Sequence, residues 1–105
     1  MAEEKFGYTN EKAREFVAKL QAYIPTVNEH SRLQYVRSYT LESGEWVEVF
    51  REGGSLVLVE WGRGQSSDIE KRVEVYIHAN SQQEINGAMS TLTQITGFEP
   101  YRGDK

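Results

Sequence analysis

The sequence predicts an α+β domain in which an N-terminal and a C-terminal helix flank a four-stranded antiparallel meander. Apolar residues recur at helical spacing near both ends of the chain. The centre alternates segments rich in Val, Tyr and Trp with short turns that contain Gly or Ser. We therefore expect one domain over residues 1–105, two layers thick, with the element order α-β-β-β-β-α.

The first helix is predicted to begin near Thr9 or Asn10, because either residue is a good N-cap. It should end at Pro25, since the residue before a proline is disfavoured in the α region. The acidic start of the chain and the charged tail from Arg102 are expected to be solvated ends. The apolar stripe of this helix comprises Ala13, Phe16, Val17, Leu20 and Ile24.

The second helix has the stronger end signals. Ser81 followed by Glu84 has the spacing of a capping box, in which each side chain bonds a first-turn amide. Gly97 suits a left-handed C-cap, with Pro100 shortly beyond. The stripe between these ends comprises Ile85, Ala88, Met89, Leu92 and Ile95.

Four strands are expected between the helices, and two tight turns set their register. The strand segments are residues 32–41, 45–52, 55–61 and 72–79. If Ser43-Gly44 and Gly53-Gly54 are two-residue turns, Tyr39 faces Glu48 and Trp46 faces Trp61. A three-residue turn at either hairpin would move one strand's side chains to the other face, because the side-chain period is two.

This register sorts the strands into two unlike faces. The mostly aromatic face carries Leu33, Tyr35, Arg37, Tyr39, Leu41, Trp46, Glu48, Phe50, Val57, Val59 and Trp61, joined by Val73, Val75 and Ile77. The half-aliphatic face carries Gln34, Val36, Ser38, Thr40, Val47, Val49, Arg51, Leu56, Leu58 and Glu60, joined by Glu74, Tyr76 and His78. We predict that the aromatic face packs under the helices.

Two helices can cover only one face, so the half-aliphatic face is a predicted interface. A contiguous exposed apolar patch usually marks a binding surface, although single exposed valines are ordinary on strands. The interface residues are predicted to be Val36, Val47, Val49, Leu56, Leu58 and Tyr76. Its occupant is expected to be a protein partner of unknown identity or a second copy, giving a homodimer.

Composition excludes several other functions. The net charge of −4 disfavours direct binding to a nucleic-acid backbone, which needs a surplus of Lys and Arg. The longest apolar run is the four residues from Leu56 to Val59, so no membrane span is expected. The chain has no cysteine, and its two histidines, His30 and His78, lack metal-ligand spacing. We expect a cytoplasmic protein without cofactor or metal.

The leading hypothesis is a non-catalytic protein-interaction module, such as a small acidic adaptor, regulator or inhibitor. The alternative is a small-ligand-binding domain, because a polar pair among aromatic side chains can hold a polar ligand. That pocket would be built from Arg37, Glu48, Trp46 and Tyr39. In the polar loop before the last strand, Arg63 and Asp68 are candidate contact residues. No catalytic constellation is recognisable, so enzyme activity is not expected.

Overall fold

The computed structural model describes residues 1–61, 72–99 and 101–102, which form two helices and an antiparallel sheet. The helices are α1 (Asn10–Tyr23) and α2 (Gln82–Thr96). The strands are β1 (Ala2–Thr9), β2 (Gln34–Thr40), β3 (Trp46–Glu52), β4 (Ser55–Trp61), β5 (Arg72–Ala79) and the two-residue β6 (Tyr101–Arg102). Their order across the sheet is β2-β3-β4-β5-β1-β6. The α+β class is therefore confirmed, with one long strand more than predicted.

The additional strand is β1, which occupies the segment predicted to be a solvated end. Phe6 pairs with Val75 and Tyr8 pairs with Val73, and both aromatic side chains are 1% exposed. The alternation of Phe6, Gly7 and Tyr8 fits a strand, but it is short and follows charged residues. The expectation of a frayed end was therefore wrong. The strand forms through contacts distant in sequence, because β1 inserts between β5 and β6 and its aromatic side chains join the core under the helices.

Both helices lie where the sequence places them. A 3₁₀ turn that contains Pro25 follows α1 directly. At the start of α2, the amide of Glu84 donates to Ser81 Oγ over 3.2 Å. The Glu84 carboxylate in turn accepts from the amide of Asn80, one residue earlier than in the usual capping box. Gly97 ends α2 with φ of +84°, as a left-handed C-cap requires.

The β3–β4 hairpin has the predicted register. Trp46 lies opposite Trp61 and Phe50 lies opposite Val57. Gly53 supplies the positive φ of +58° that the tight turn needs. The aromatic side chains of β3 and the aliphatic side chains of β4 therefore share the face that was predicted for them.

The β2–β3 hairpin does not have the predicted register. Its loop is one residue longer, because the amide of Leu41 bonds the Glu45 carbonyl and Gly44 adopts φ of +102°. Residues of β2 next to this loop are consequently shifted to the opposite face from the one predicted. A β-bulge between Tyr35 and Arg37 then restores the predicted side for Tyr35.

The core lies between the helices and the predicted aromatic face. A single buried cluster joins the stripes of α1 and α2 to the side chains of the sheet. Tyr8 stacks on Phe16 of α1 with ring centroids 4.0 Å apart. Its hydroxyl donates to the Phe98 carbonyl beyond α2 over 3.0 Å. The choice of the aromatic face as the core is thus confirmed, and the opposite face is called the outer face below.

Candidate functional site

Large exposed apolar side chains concentrate at the outer face. In the described ranges they are Met1, Val36 at 49%, Leu41 at 36% and Leu56 at 40% exposure. Val36 lies at the bulge of β2, and Leu56 lies opposite Arg51 on the outer face of β4. Met1 and Leu41 border the same face, where they line two shallow depressions of about 410 and 230 Å³. Helix packing therefore leaves an apolar surface on one side of the sheet only.

The predicted interface residues all belong to this side of the sheet but differ in exposure. Val36 and Leu56 are exposed, and Leu58 and Tyr76 are half-buried. Val47 and Val49 are already buried. They lie on β3, where the side chains of β2 and β4 flank them. A partner would thus touch Val36, Leu56 and Leu58 most directly, with the β3 valines forming the floor beneath it.

One row of residues crosses the outer face from β2 to β1. Arg37 pairs with Val49, Val49 with Leu58, Leu58 with Tyr76, and Tyr76 with Lys5. Cross-strand partners point to the same face, so these five side chains form a line across the sheet. The apolar Val49 and Leu58 lie in the middle of this line, with the cation Arg37 at one end and Tyr76 followed by the cation Lys5 at the other.

A carboxylate pair lies in the neighbouring row. Glu60 on β4 pairs with Glu74 on β5. The Glu74 carboxylate accepts from the Tyr76 hydroxyl over 2.7 Å and lies 3.5 Å from Lys5 Nζ. Burial, followed by the charge of Glu74, raises the pKa of Glu60 above its ordinary value. Like charges directly opposite each other are unfavourable, and the Lys5 ammonium on the same face offsets part of this repulsion.

Sequence reasoning placed Glu60, Glu74 and Tyr76 on this face and missed Lys5. Tyr76 was expected on the outer face, but Lys5 was assigned to a solvated end. The register of β1 places Lys5 opposite Tyr76, with the ammonium 5.9 Å from the centre of the tyrosine ring. Alternation around Phe6 and Tyr8 is the one local signal that would have predicted a strand there.

The four residues of the alternative ligand pocket do not come together. Arg37 and Tyr39 lie on the outer face, with the guanidinium 5.3 Å from the centre of the tyrosine ring. Glu48 lies on the helix-facing side and is 2% exposed. Its Oε2 accepts from Trp46 Nε1 over 2.7 Å and from Gln21 Nε2 over 3.0 Å. The longer β2–β3 loop causes this separation, so the predicted Arg37–Glu48 pairing was wrong.

A polar cleft lies at the end of the sheet near α2. Glu52 Oε2 accepts from Arg32 over 3.1 Å and from Thr91 over 3.0 Å. The cleft, of about 440 Å³, is also bordered by Ser55 and Gly87. Arg32 and Thr91 thus bind one oxygen of a carboxylate that the sequence did not single out.

The described part of the chain also bears on the remaining predictions. In the ranges 1–61 and 72–99, three or more His, Asp or Glu side chains nowhere lie close enough together to hold a metal. Neither α1 nor α2 is long and apolar enough to cross a membrane. Arg63 and Asp68, the predicted loop contacts, lie outside the described residues.

Known proteins offer no guide to this surface. No protein-family model, curated protein or solved structure matches the chain. Function is therefore argued from the side chains of the outer face.

Proposed function

We propose that this chain is a non-catalytic protein-interaction module that binds its partner through the outer face of its sheet. The main observation in support is the distribution of exposed apolar side chains. Val36, Leu41 and Leu56, together with Met1, border one face, whereas α1 and α2 cover the other. Full burial of one such Val or Leu side chain contributes about 1.5–3 kcal/mol, so covering several of them is a substantial driving force.

The arrangement around this patch resembles the anatomy of protein interfaces. Apolar side chains occupy the centre, and charged side chains such as Arg37 and Glu60 flank them. A small acidic adaptor, regulator or inhibitor would act in this way, by covering a partner's surface without chemistry of its own. The small-ligand hypothesis receives less support, because the sheet separates Arg37 and Tyr39 from Trp46 and Glu48.

The test replaces the two most exposed apolar residues of the described sheet. Val36→Lys combined with Leu56→Lys should preserve folding, because both side chains already contact solvent. Binding should fall strongly, since each lysine would have to be desolvated against an apolar surface. Gln83→Lys combined with Gln94→Lys adds the same charge at exposed positions of α2 and provides the matched control.

Binding is measured by capture from an extract of the source cells and by sedimentation of the purified protein. We expect the outer-face variant to lose a binder, or its self-association, that the α2 control retains. Circular dichroism and urea unfolding of each variant verify the fold. A binder retained by the outer-face variant contradicts the proposal. Equal losses in both variants do so as well, because they would indicate a general effect of charge.

A further inference from the structure

We propose that the protein partner inserts a basic side chain, arginine or lysine, into a hollow of the outer face beside Glu60. This inference rests on the proposed function and gives the chemistry of the partner. The Glu60 hollow is the depression of about 230 Å³ on the outer face. It is lined by Tyr39, Leu41, Val47, Leu58, Glu60 and Tyr76. Three observations support the proposal: the walls of the hollow, the charges around its carboxylate and its size.

The walls of the Glu60 hollow suit the hydrocarbon part of a long basic side chain. Val47 lies between Tyr39 and Glu60 in one row across the sheet. Leu58 is two residues before Glu60 on β4 and therefore shares its face. Lysine and arginine pack their hydrocarbon stems on apolar surface while the charged head stays among polar groups. A stem lying on Val47 and Leu58 would place its charged head at the Glu60 carboxylate.

Glu60 has no cation of its own. In the described part of the chain, no Lys, Arg or His lies within ion-pair distance of its carboxylate. Lys5 binds Glu74 instead, with Nζ 3.5 Å from the carboxylate oxygen. Arg37 lies over the Tyr39 ring, with the guanidinium 5.3 Å from the ring centre. The two cations nearest to the hollow thus have other neighbours, and a partner's cation can bind Glu60 without displacing either.

The surroundings of Glu60 are negative even with Lys5 present. Burial is the largest cause of the raised pKa of Glu60, and the charges of Glu74 and Glu45 add to it. Lys5 lowers that pKa, but by less than either neighbouring carboxylate raises it. Partial burial also strengthens the attraction of an added cation, because the local dielectric is lower than that of water. The fold therefore holds Glu60 in a state that a basic side chain would stabilise.

The volume of the Glu60 hollow matches a single long side chain. At about 30 Å³ per water-sized group, 230 Å³ holds about eight groups, which is about the size of one arginine or lysine side chain. A helix or strand of the partner would therefore lie across the outer face and place one side chain in the hollow. The net charge of −4 also favours the approach of a basic surface.

Selection from a phage-displayed library of random linear peptides tests this inference. We expect the wild-type protein to enrich peptides that carry arginine or lysine next to apolar residues. Calorimetric titration of a selected synthetic peptide then measures the contact. Glu60→Gln, or norleucine in place of the peptide's basic residue, should each weaken binding about tenfold or more. Both changes together should weaken binding little more than either one, because they remove the same contact.

A matched control removes the same charge elsewhere on this face. Glu3 lies 3.8 Å from His78 on the outer face, and Glu3→Gln should leave the affinity nearly unchanged. Equal losses for Glu3→Gln and Glu60→Gln overturn the inference, because they would indicate a general effect of charge. Basic peptides that bind Glu60→Gln as tightly as wild type overturn it as well. Urea unfolding verifies that each variant is folded.

The remaining outcomes separate this inference from the proposed function. Selected peptides that show no enrichment of basic residues, but lose binding to the Val36→Lys and Leu56→Lys variant, overturn the inference and keep the binding face. If no peptide binds the wild type above background, the inference is overturned, while capture from the extract still decides the proposed function.

Discussion

Replacement of Phe6 by alanine tests whether the N-terminal strand belongs to the core. The phenyl ring is 1% exposed and pairs with Val75 between β5 and β6. An aromatic side chain buries about 150–250 Å², which at about 25 cal/mol per Å² corresponds to about 4–6 kcal/mol. Alanine retains part of this, so Phe6→Ala should cost about 3–5 kcal/mol of unfolding free energy, in line with measured aromatic truncations.

Urea unfolding followed by circular dichroism measures this loss. With a typical slope of about 1–3 kcal/mol per molar urea, the midpoint should fall by about 1 M or more. Phe6→Leu keeps most of the volume and should cost less than about 1.5 kcal/mol, which keeps the effect measurable if the alanine variant is unfolded. Lys5→Ala on the same strand removes a half-exposed ion pair and should cost under about 1 kcal/mol. Equal midpoints for Phe6→Ala and Lys5→Ala would refute the placement of β1 in the core.

Three further predictions concern single contacts. Ser81→Ala removes the acceptor for a first-turn amide of α2 and should lower the unfolding free energy by about 1 kcal/mol in urea titrations. Glu60→Gln should stabilise the monomer at neutral pH, because it removes a partly buried charge opposite Glu74. Because the pKa of Glu60 is raised in the folded state, ionisation of Glu60 lowers the free energy of unfolding. This loss of stability is absent at pH values below 4.5, the ordinary pKa of Glu60, and develops as the pH rises above 4.5. Unfolding at micromolar concentration should therefore show this gain at pH 7 and little gain at pH 4. Arg37→Met and Glu48→Gln lie on opposite faces of the sheet, and their costs should add within about 0.5 kcal/mol, whereas coupling above about 1 kcal/mol would contradict the observed register.

The candidate site illustrates how one loop residue changes a functional hypothesis. The pairing of Arg37 with Glu48 depended on a two-residue turn at Ser43-Gly44. The extra loop residue moves Arg37 to the outer face, where it becomes part of the proposed interface. Glu48 remains on the inner face with Trp46, as predicted. The length of the β2–β3 loop therefore removes the predicted ligand pocket and also places the charge of Arg37 on the outer face.

Much of the fold was predictable from local signals. Ser81 and Gly97 define the ends of α2 because a capping hydroxyl and a left-handed glycine act within a few residues. Gly53-Gly54 defines one hairpin because a tight turn with positive φ determines the register of both adjoining strands. The aromatic character of one face predicted the core correctly, because the alternation of side chains along a strand is also a local pattern.

Long-range pairing decided the rest. β1 becomes a strand through its contact with β5, about seventy residues later in the chain, and residues 2–9 alone contain too little apolar surface to reveal it. Ser43-Gly44 fits a two-residue turn, yet the loop has three residues, so the β2 register is seen only in its pairing with β3. The carboxylate cluster with Lys5 exists only once β1 is paired. Local sequence determines which elements form because their signals act within a few residues, whereas the sheet order and the β2 register depend on contacts between segments far apart in the chain.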